Sequence, residues 1–251
     1  MSKSILFLGA TGGVGFSALQ RSLAAGHSCT ALCRTPSTLS DKIPAEVDQK
    51  LLRIEQGNAH DVDAVLRALL PSPSSPRQGL PDVIVFSIGA YFNLSKMGMD
   101  DAHVCENGIK TVLAALQKAR TEHNLQGKPR IVALSSTGVS DFGRDVPLLF
   151  VPLYHVGLKV PHKDKKAMED ALVESEEEWT IVRPSLFVDG AKDGPKREIR
   201  AGKEDPIKGV VESKAVGYTI SREDVGRWIF ENLIEGEKAG EWLRRMAAIT
   251  Y

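Results

Sequence analysis

The sequence predicts a doubly wound α/β protein, with a mostly parallel sheet covered by helices on both faces. Three observations predict it. Short apolar runs bounded by turn residues alternate along the chain with stretches that carry one apolar helical face. A glycine-rich turn stands between the first apolar run and the first helix. The 251 residues, 42% apolar and 25% charged, suffice for one well-buried core without disulfide staples.

Residues 4–8 form a continuous apolar run, the pattern of a strand buried on both faces. The glycine turn follows, then a helix over residues 16–25 that ends at Gly26, then a strand over 29–33. This is one βαβ unit. A strand is expected over 51–55 and a helix over 61–70, with Val62, Val65, Leu66 and Leu69 on one face. Residues 71–76, prolines and serines only, read as a solvated loop, because the alternation resumes at once. A strand over 83–88, a helix over 109–119 (Ile109, Val112, Leu113 and Leu116 on one face) and a strand over 130–134 come next. Residues 146–161 are irregular, proline-rich and apolar. A helix over 165–174 is expected, capped by Asp164, then a strand over 179–182. Ser221 and Asp224 have capping-box spacing and open a helix over 225–233, and a last strand is expected over 246–250. The expected organisation is a single domain spanning 1–251, with substrate-side segments at about 138–163 and 185–220.

Composition narrows the function. Lys plus Arg and Asp plus Glu both number 32, and the first 125 residues hold 12 basic and 11 acidic ones. Neither half is a polycation, so binding nucleic acid by phosphate neutralisation is not expected. Three cysteines, Cys29, Cys33 and Cys105, make no disulfide framework and fit a reducing compartment. The first residues carry no signal or transit pattern, and no apolar run reaches ~18 residues, so a cytoplasmic protein without membrane contact is expected. The six histidines have no metal-ligand spacing, and no metal is expected.

The turn Gly9-Ala10-Thr11-Gly12-Gly13-Val14-Gly15 lies between a strand and a helix, with glycines three residues apart. In that context it is a dinucleotide-binding turn. The backbone must approach a pyrophosphate closely, and the helix N-terminus supplies free N–H groups and partial positive charge. The predicted sheet is therefore of the Rossmann type. The end of the second strand selects the nucleotide. It carries Arg34 and Thr35, with no carboxylate before Asp41. An acidic residue there would bind the ribose 2′-hydroxyl of NAD, whereas Arg34 can pair with a 2′-phosphate. NADP(H) is the expected cofactor; the competing reading of Arg34 is a solvated surface charge.

Further motifs extend the pattern: Gly57-Asn58 after the third strand and Ser135-Ser136-Thr137-Gly138 after the fifth. Lys165 with Glu169, Trp179 through Arg183-Pro184, and Ser221 through Val225 complete it. With these pieces the chain resembles an atypical short-chain dehydrogenase/reductase of the NmrA-like NAD(P)-binding group along nearly its whole length. The resemblance implies that Asn58 stands where an acidic residue usually contacts adenine. It implies that Ser87 and Gly89 line the cofactor near the adenosine ribose, that Ser135 and Ser136 lie by the nicotinamide, and that the loop from Pro184 to Phe187 passes its carboxamide. Lys165 would hold the nicotinamide ribose.

One departure stands out. The family's proton donor is the Tyr of Tyr-x-x-x-Lys. Four residues before Lys165 stands Pro161, so the usual acid is absent or displaced. Tyr154 and His155 are the candidate replacements, with Tyr91 and His162 behind them. The implied activity is hydride transfer from NADPH to a small apolar or aromatic carbonyl, imine or enone, in a pocket roofed by residues 146–160. That same stretch could instead pack in a homodimer. The competing functions are an NADP(H)-sensing regulator without turnover, which the missing Tyr favours, and a redox-neutral isomerase or cyclase that retains the cofactor.

Overall fold

The computed structural model describes residues 2–72, 77–89, 92–93, 98–99, 101–150, 159–188 and 197–251. Its first half runs β1 (Ser4–Leu8), α1 (Gly13–Ala24), β2 (Ser28–Cys33), α2 (Ser37–Ser40), β3 (Leu52–Gln56), α3 (Val62–Leu69) and β4 (Val83–Phe86). Two short strands, β5 (Phe92–Asn93) and β6 (Gly98–Met99), pair with each other before α4 (Val104–His123) and β7 (Arg130–Leu134). Then come α5 (Lys159–Glu174), β8 (Glu178–Pro184), β9 (Leu186–Val188), β10 (Arg200–Asp205), β11 (Val210–Ser213), β12 (Thr219–Ser221), α6 (Arg222–Ile229) and β13 (Arg245–Thr250).

Nine strands form the main sheet in the order β11-β10-β13-β8-β7-β4-β1-β2-β3. From β3 to β13 all neighbours are parallel; β10 joins β13, and β11 joins β10, antiparallel at one edge. The expected doubly wound Rossmann-type sheet is present. Its strand order reverses between β1 and β4, and a ligand crevice belongs at the carboxyl ends there.

The continuous apolar runs are explained by the two faces they serve. Ile5 and Phe7 of β1 pack with α1 and α6, whereas Leu6 and Leu8 pack with α3, α4 and α5. Strand side chains alternate, so a strand covered on both sides must be apolar at every position. β7 divides in the same way: Val132 and Leu134 face one layer, Ile131 and Ala133 the other.

Several boundaries differ from the sequence expectation. α1 begins at Gly13, inside the glycine turn, and α4 extends from Val104 to His123, because its charged ends give no apolar signal. α5 begins at Lys159 rather than 165. Pro161 is its third residue, where the missing N–H has no intrahelical acceptor, so the proline is tolerated. Asp164 therefore does not cap its own helix. It is buried, and its carboxylate accepts from the Cys105 N–H at 2.9 Å and the Glu106 N–H at 2.9 Å, capping α4 from the neighbouring helix. β9 to β12 were not foreseen. Arg200–Asp205 and Val210–Ser213 carry little apolar alternation, as suits an edge hairpin.

Candidate functional site

The glycines of the turn divide by task. A Cβ on Gly9 would stand 2.7 Å from the Ser87 carbonyl oxygen, and Gly9 has φ +97°. A Cβ on Gly15 would stand 2.4 Å from Ser87 Oγ and 2.5 Å from the Gly9 carbonyl oxygen. Ser87 Oγ donates to the Leu8 carbonyl at 3.1 Å, so β1, the turn and the end of β4 are drawn tightly together. These two glycines serve chain packing. Gly12 differs, because a Cβ there would meet nothing within 4 Å among the described residues. Gly12 is the N-cap of α1, contributes no side-chain cap, and the first turn of α1 holds no acidic residue. The N–H groups of Gly13, Val14 and Gly15 thus open the helix over an unfilled cradle with positive partial charge. Thr11 is half-buried, and its carbonyl accepts from Lys42 Nζ at 2.6 Å.

At the end of β2, Arg34 and Thr35 are exposed. Among the described residues no carboxylate pairs with Arg34. The Gly57 N–H donates to the Cys33 carbonyl at 3.0 Å, which draws the end of β3 beside them. The Asn58 side chain accepts from the His60 N–H at 3.1 Å and so shapes its own turn. Lys42 was missed in the sequence. It follows α2, lies 5.9 Å from the Phe16 ring centre and brings a second cation to the rim of the cradle. Nothing in its spacing marks it; only the fold of the loop after β2 carries it back to Thr11.

On the other side of the switch point, β7 ends at Leu134. Lys165 Nζ donates to the Leu134 carbonyl at 3.0 Å, which sets its ammonium group beside Ser135. Ser135 is buried at 1% exposure, and among the described residues its hydroxyl has no hydrogen-bond partner. Ser136 is half-buried. The Pro184 carbonyl accepts from the Thr137 N–H at 3.0 Å, fixing the end of β8 against the same loop. Phe187 on β9 is half-buried, and the Arg222 guanidinium lies 4.8 Å from its ring centre. The structure thus brings together Ser135, Lys165 and the loop after Pro184. Tyr154, His155 and Tyr91 lie outside the described residues, as does most of the apolar stretch 146–160.

Beneath this end of β7 lies a charge cluster that the sequence did not reveal as a unit. Arg183, 1% exposed, reaches Glu169 through Nε at 2.9 Å and Nη2 at 2.6 Å, and Glu204 through Nη1 at 2.5 Å. The paired carboxylates hold the Arg183 pKa above its ordinary value despite burial. Ser140 Oγ donates to Glu204 at 2.9 Å, and Asp145 accepts from the Gly138 N–H at 2.9 Å. Burial pushes the Asp145 carboxyl above its usual range, against the opposing pull of that N–H and of Arg183. The cluster ties α5, β8, β10 and the loop after β7 into one unit. The thiols are plain core groups by contrast: burial pushes Cys33 up to about 11 and Cys105 up to about 12.

Two features bear on whether a dinucleotide fits. Among the described residues a Cβ at Gly12 or at Gly89 would meet nothing within 4 Å. The Ser135 hydroxyl is a buried polar group that lacks a partner among the described residues, next to the Leu134 carbonyl that holds Lys165. The residues present fit such a group. Among the described residues no cluster of metal-ligating side chains occurs, and no helix is long and apolar enough to cross a membrane.

Comparison with known proteins agrees with this geometry. A family model described as NAD(P)H-binding matches residues 9–235. Reductase pytE of Aspergillus terreus is 38% identical, over 99% of this chain and 98% of its own. Oxidase pynE of Aspergillus niger is 33% identical, over 100% of this chain and 99% of its own. Among solved structures, a short-chain dehydrogenase/reductase of Veillonella parvula in complex with NADP superposes with a TM-score of 0.71 at 17% identity, covering 100% of this chain and 95% of that one. ChuY, an anaerobillin reductase of Escherichia coli O157:H7, superposes with a TM-score of 0.65 at 20% identity, covering 98% and 96%.

Proposed function

The chain belongs to the NAD(P)H-binding family whose model spans residues 9–235, and from that premise we propose that it is of the atypical short-chain dehydrogenase/reductase type and uses NADP(H) to reduce a small apolar or aromatic carbonyl, imine or enone. That it is an NAD(P)-binding oxidoreductase follows from the family and from relatives named reductase and oxidase. The single observation that supports the finer reading is the Lys165 ammonium held on the Leu134 carbonyl beside a Ser135 hydroxyl that has no partner among the described residues.

Each residue then has a task. The N–H groups of Gly13, Val14 and Gly15 bind the pyrophosphate, and Gly12 keeps the approach clear. Arg34, with Lys42 nearby, binds the 2′-phosphate; Thr35 and Asn58 border the adenosine, with Ser87 and Gly89 beside its ribose. Lys165 binds the nicotinamide ribose, Ser135 and Ser136 offer hydroxyls beside the ring, and Pro184 and Phe187 wall its carboxamide edge. The cofactor, when bound, supplies the hydride. The protein's part is to orient the acceptor against the nicotinamide. A proton must reach the acceptor atom, and Tyr154 or His155 is assigned to deliver it.

The test is NADPH oxidation against a panel of quinones, aromatic aldehydes, enones and cyclic imines, with NADPH and NADH titrated beforehand. Turnover with NADPH and tighter binding of NADPH than NADH are the expected results. A second reading has one observation behind it: Pro161 on α5 occupies the register of the usual Tyr. If NADPH binds tightly and Lys165→Met weakens that binding while no panel member is turned over, an NADP(H)-sensing regulator is favoured.

A further inference from the structure

Tyr218 stands immediately before β12 and has no task in the reaction as assigned. It is 50% exposed although aromatic, and its ring meets that of Phe150 edge to face, with centres 5.1 Å apart and planes at 87°. The contact joins two segments on the substrate side of the sheet. Phe150 closes a single tight helical turn (Leu148–Phe150) beyond the loop that follows β7, and its N–H donates to the Pro147 carbonyl at 2.9 Å. Leu148 and Leu149 on the same turn are exposed as well. Large apolar side chains gathered at the carboxyl ends of parallel strands lie where an α/β sheet receives its ligands.

The fold anchors Tyr218 beside the loop that follows Pro184. A Cβ on Gly217 would stand 2.7 Å from Thr250 Cγ2 and 2.7 Å from the Tyr251 carbonyl oxygen, so this segment lies flush on the end of β13. Thr250 Oγ1 accepts from the buried Ser185 hydroxyl at 2.9 Å, and the Ser185 N–H donates to the Ile249 carbonyl at 3.0 Å. Ser185 is the residue after Pro184. On the other side of Tyr218, Thr219 pairs in register with Leu186, and its carbonyl accepts from the Tyr251 N–H at 3.3 Å. The Val216 carbonyl accepts from Arg200 Nη2 at 3.2 Å. Tyr218 therefore sits between fixed neighbours, next to the stretch assigned to the carboxamide edge of the nicotinamide. An aromatic side chain has only two torsions, and the Phe150 contact restrains them further, so a ligand that lies on this ring orders little else. A flat π-system gains offset stacking there that a saturated ring of the same size does not.

We propose that Tyr218, backed by Phe150, is a specificity-determining residue of the acceptor site: its ring is the wall on which a planar aromatic carbonyl, imine or enone stacks, in preference to a saturated one. The inference rests on the reductase reading and narrows its substrate class to flat, conjugated acceptors.

The experiment titrates the full chain, saturated with NADP+, with 2-acetylnaphthalene and with its fully saturated counterpart 2-acetyldecalin. The parent is compared with Tyr218→Phe, which keeps the ring, and Tyr218→Leu, which keeps only apolar bulk. The parent is expected to bind the naphthyl ketone more tightly, and Tyr218→Phe to retain that preference. Tyr218→Leu should weaken the naphthyl ketone by roughly 3- to 10-fold and the decalin ketone by less than about twofold, with NADP+ affinity kept. Its melting temperature should stay within about 4 °C of the parent. Equal loss on both ketones, no loss on the naphthyl ketone, or no preference in the parent overturns the inference. A smaller particle mass for Tyr218→Leu by light scattering assigns the aromatic pair to a contact between copies and overturns it too. Selective loss without NADPH oxidation by the naphthyl ketone upholds the Tyr218 wall and overturns the reductase reading. NADPH oxidation in which Tyr218→Leu discriminates between the ketones as the parent does overturns the wall and leaves the reductase reading standing. A parent that fails to bind NADP+ overturns both.

Discussion

Gly12→Val is the substitution that best separates a ligand glycine from a packing glycine. A Cβ at Gly12 meets no atom of the described residues within 4 Å, and its backbone is extended at φ −176°, a conformation open to any residue. The cost to the fold is then confined to the N-cap, where Val is poorer than Gly by ~1 kcal/mol, a fall of ~2–4 °C in melting temperature for a chain of this size. The cost to binding is much larger. The isopropyl group fills the cradle over the first turn of α1 and separates the pyrophosphate from its N–H donors. Each hydrogen bond to a charged group contributes ~1.5–3 kcal/mol, so losing two removes ~3–6 kcal/mol, a fall in affinity of at least 100-fold. Gly9→Val serves as the contrast. It places a Cβ 2.7 Å from the Ser87 carbonyl at φ +97°, and should unfold the turn itself. The assay pairs thermal melting with NADPH titration by fluorescence. A Gly12→Val protein that melts near the parent and still binds NADPH within a few-fold would refute the assignment of the cradle to pyrophosphate.

Other substitutions test the remaining links. Arg34→Ala should erase most of the preference for NADPH over NADH, a loss of about 10- to 100-fold in NADPH affinity with NADH little changed; equal affinities in the parent would end the argument. Lys165→Met should weaken NADPH binding and turnover, whereas Lys163→Met should do neither, since Lys163 is exposed on α5. Lys166 is the poorer control because it pairs with Asp141 and Asp170, and a small loss of stability is expected there. Arg183→Met strands Glu169 and Glu204 in the interior, so it should destabilise by ~3–5 kcal/mol in urea unfolding. Asp145→Asn tests the raised carboxyl. A carboxylate pKa raised on folding costs stability as pH climbs past the unfolded value of ~3.9, so the Asn variant should melt higher than the parent at pH 7. That advantage should vanish below about pH 4, and a parent that is more stable than the variant at pH 7 would contradict the sign.

The parallel core was legible because burial on two faces leaves a strong signal. β1, β4 and β7 are nearly all apolar, and each was located to within about two residues. The glycine turn was legible for the same reason: its spacing has meaning only between a buried strand and a helix. Legibility fell where side chains act across elements. Asp164 looked like a local cap because it precedes a helical pattern, yet its acceptors serve the N–H groups of Cys105 and Glu106, 59 and 58 residues away. The capping box at Ser221 was read correctly in its forward bond, but the return bond to the Ser221 N–H comes from the Tyr251 hydroxyl instead of from Asp224. The pattern of charges around Arg183 could not have shown that Glu204, on a strand next to the sheet edge with little apolar character, meets Glu169 of α5 at one guanidinium.

The adjacent residues Asp164 and Lys165 explain how such cross-element bonds place the site. They point ~100° apart on α5. Asp164 seizes the N-terminus of α4, whose Cys105 thiol in turn donates to the Ile88 carbonyl at 3.5 Å. Lys165 seizes the last carbonyl of β7. One helix turn therefore sets the spacing between the segment after β4, which carries Gly89, and the end of β7, which carries Ser135. Glu169, one turn further along, anchors the same helix to β8 through Arg183. A buried carboxylate on two N–H groups and a buried guanidinium on two carboxylates are costly to distort, because each leaves an unpaired charge when broken. The rigidity needed to hold Lys165 on its carbonyl thus comes from charges that never touch the cradle. It follows that Asp164→Asn, which keeps the size and one acceptor, should lower NADPH affinity as well as stability, whereas an exposed change on the same helix, at Lys163, should alter neither.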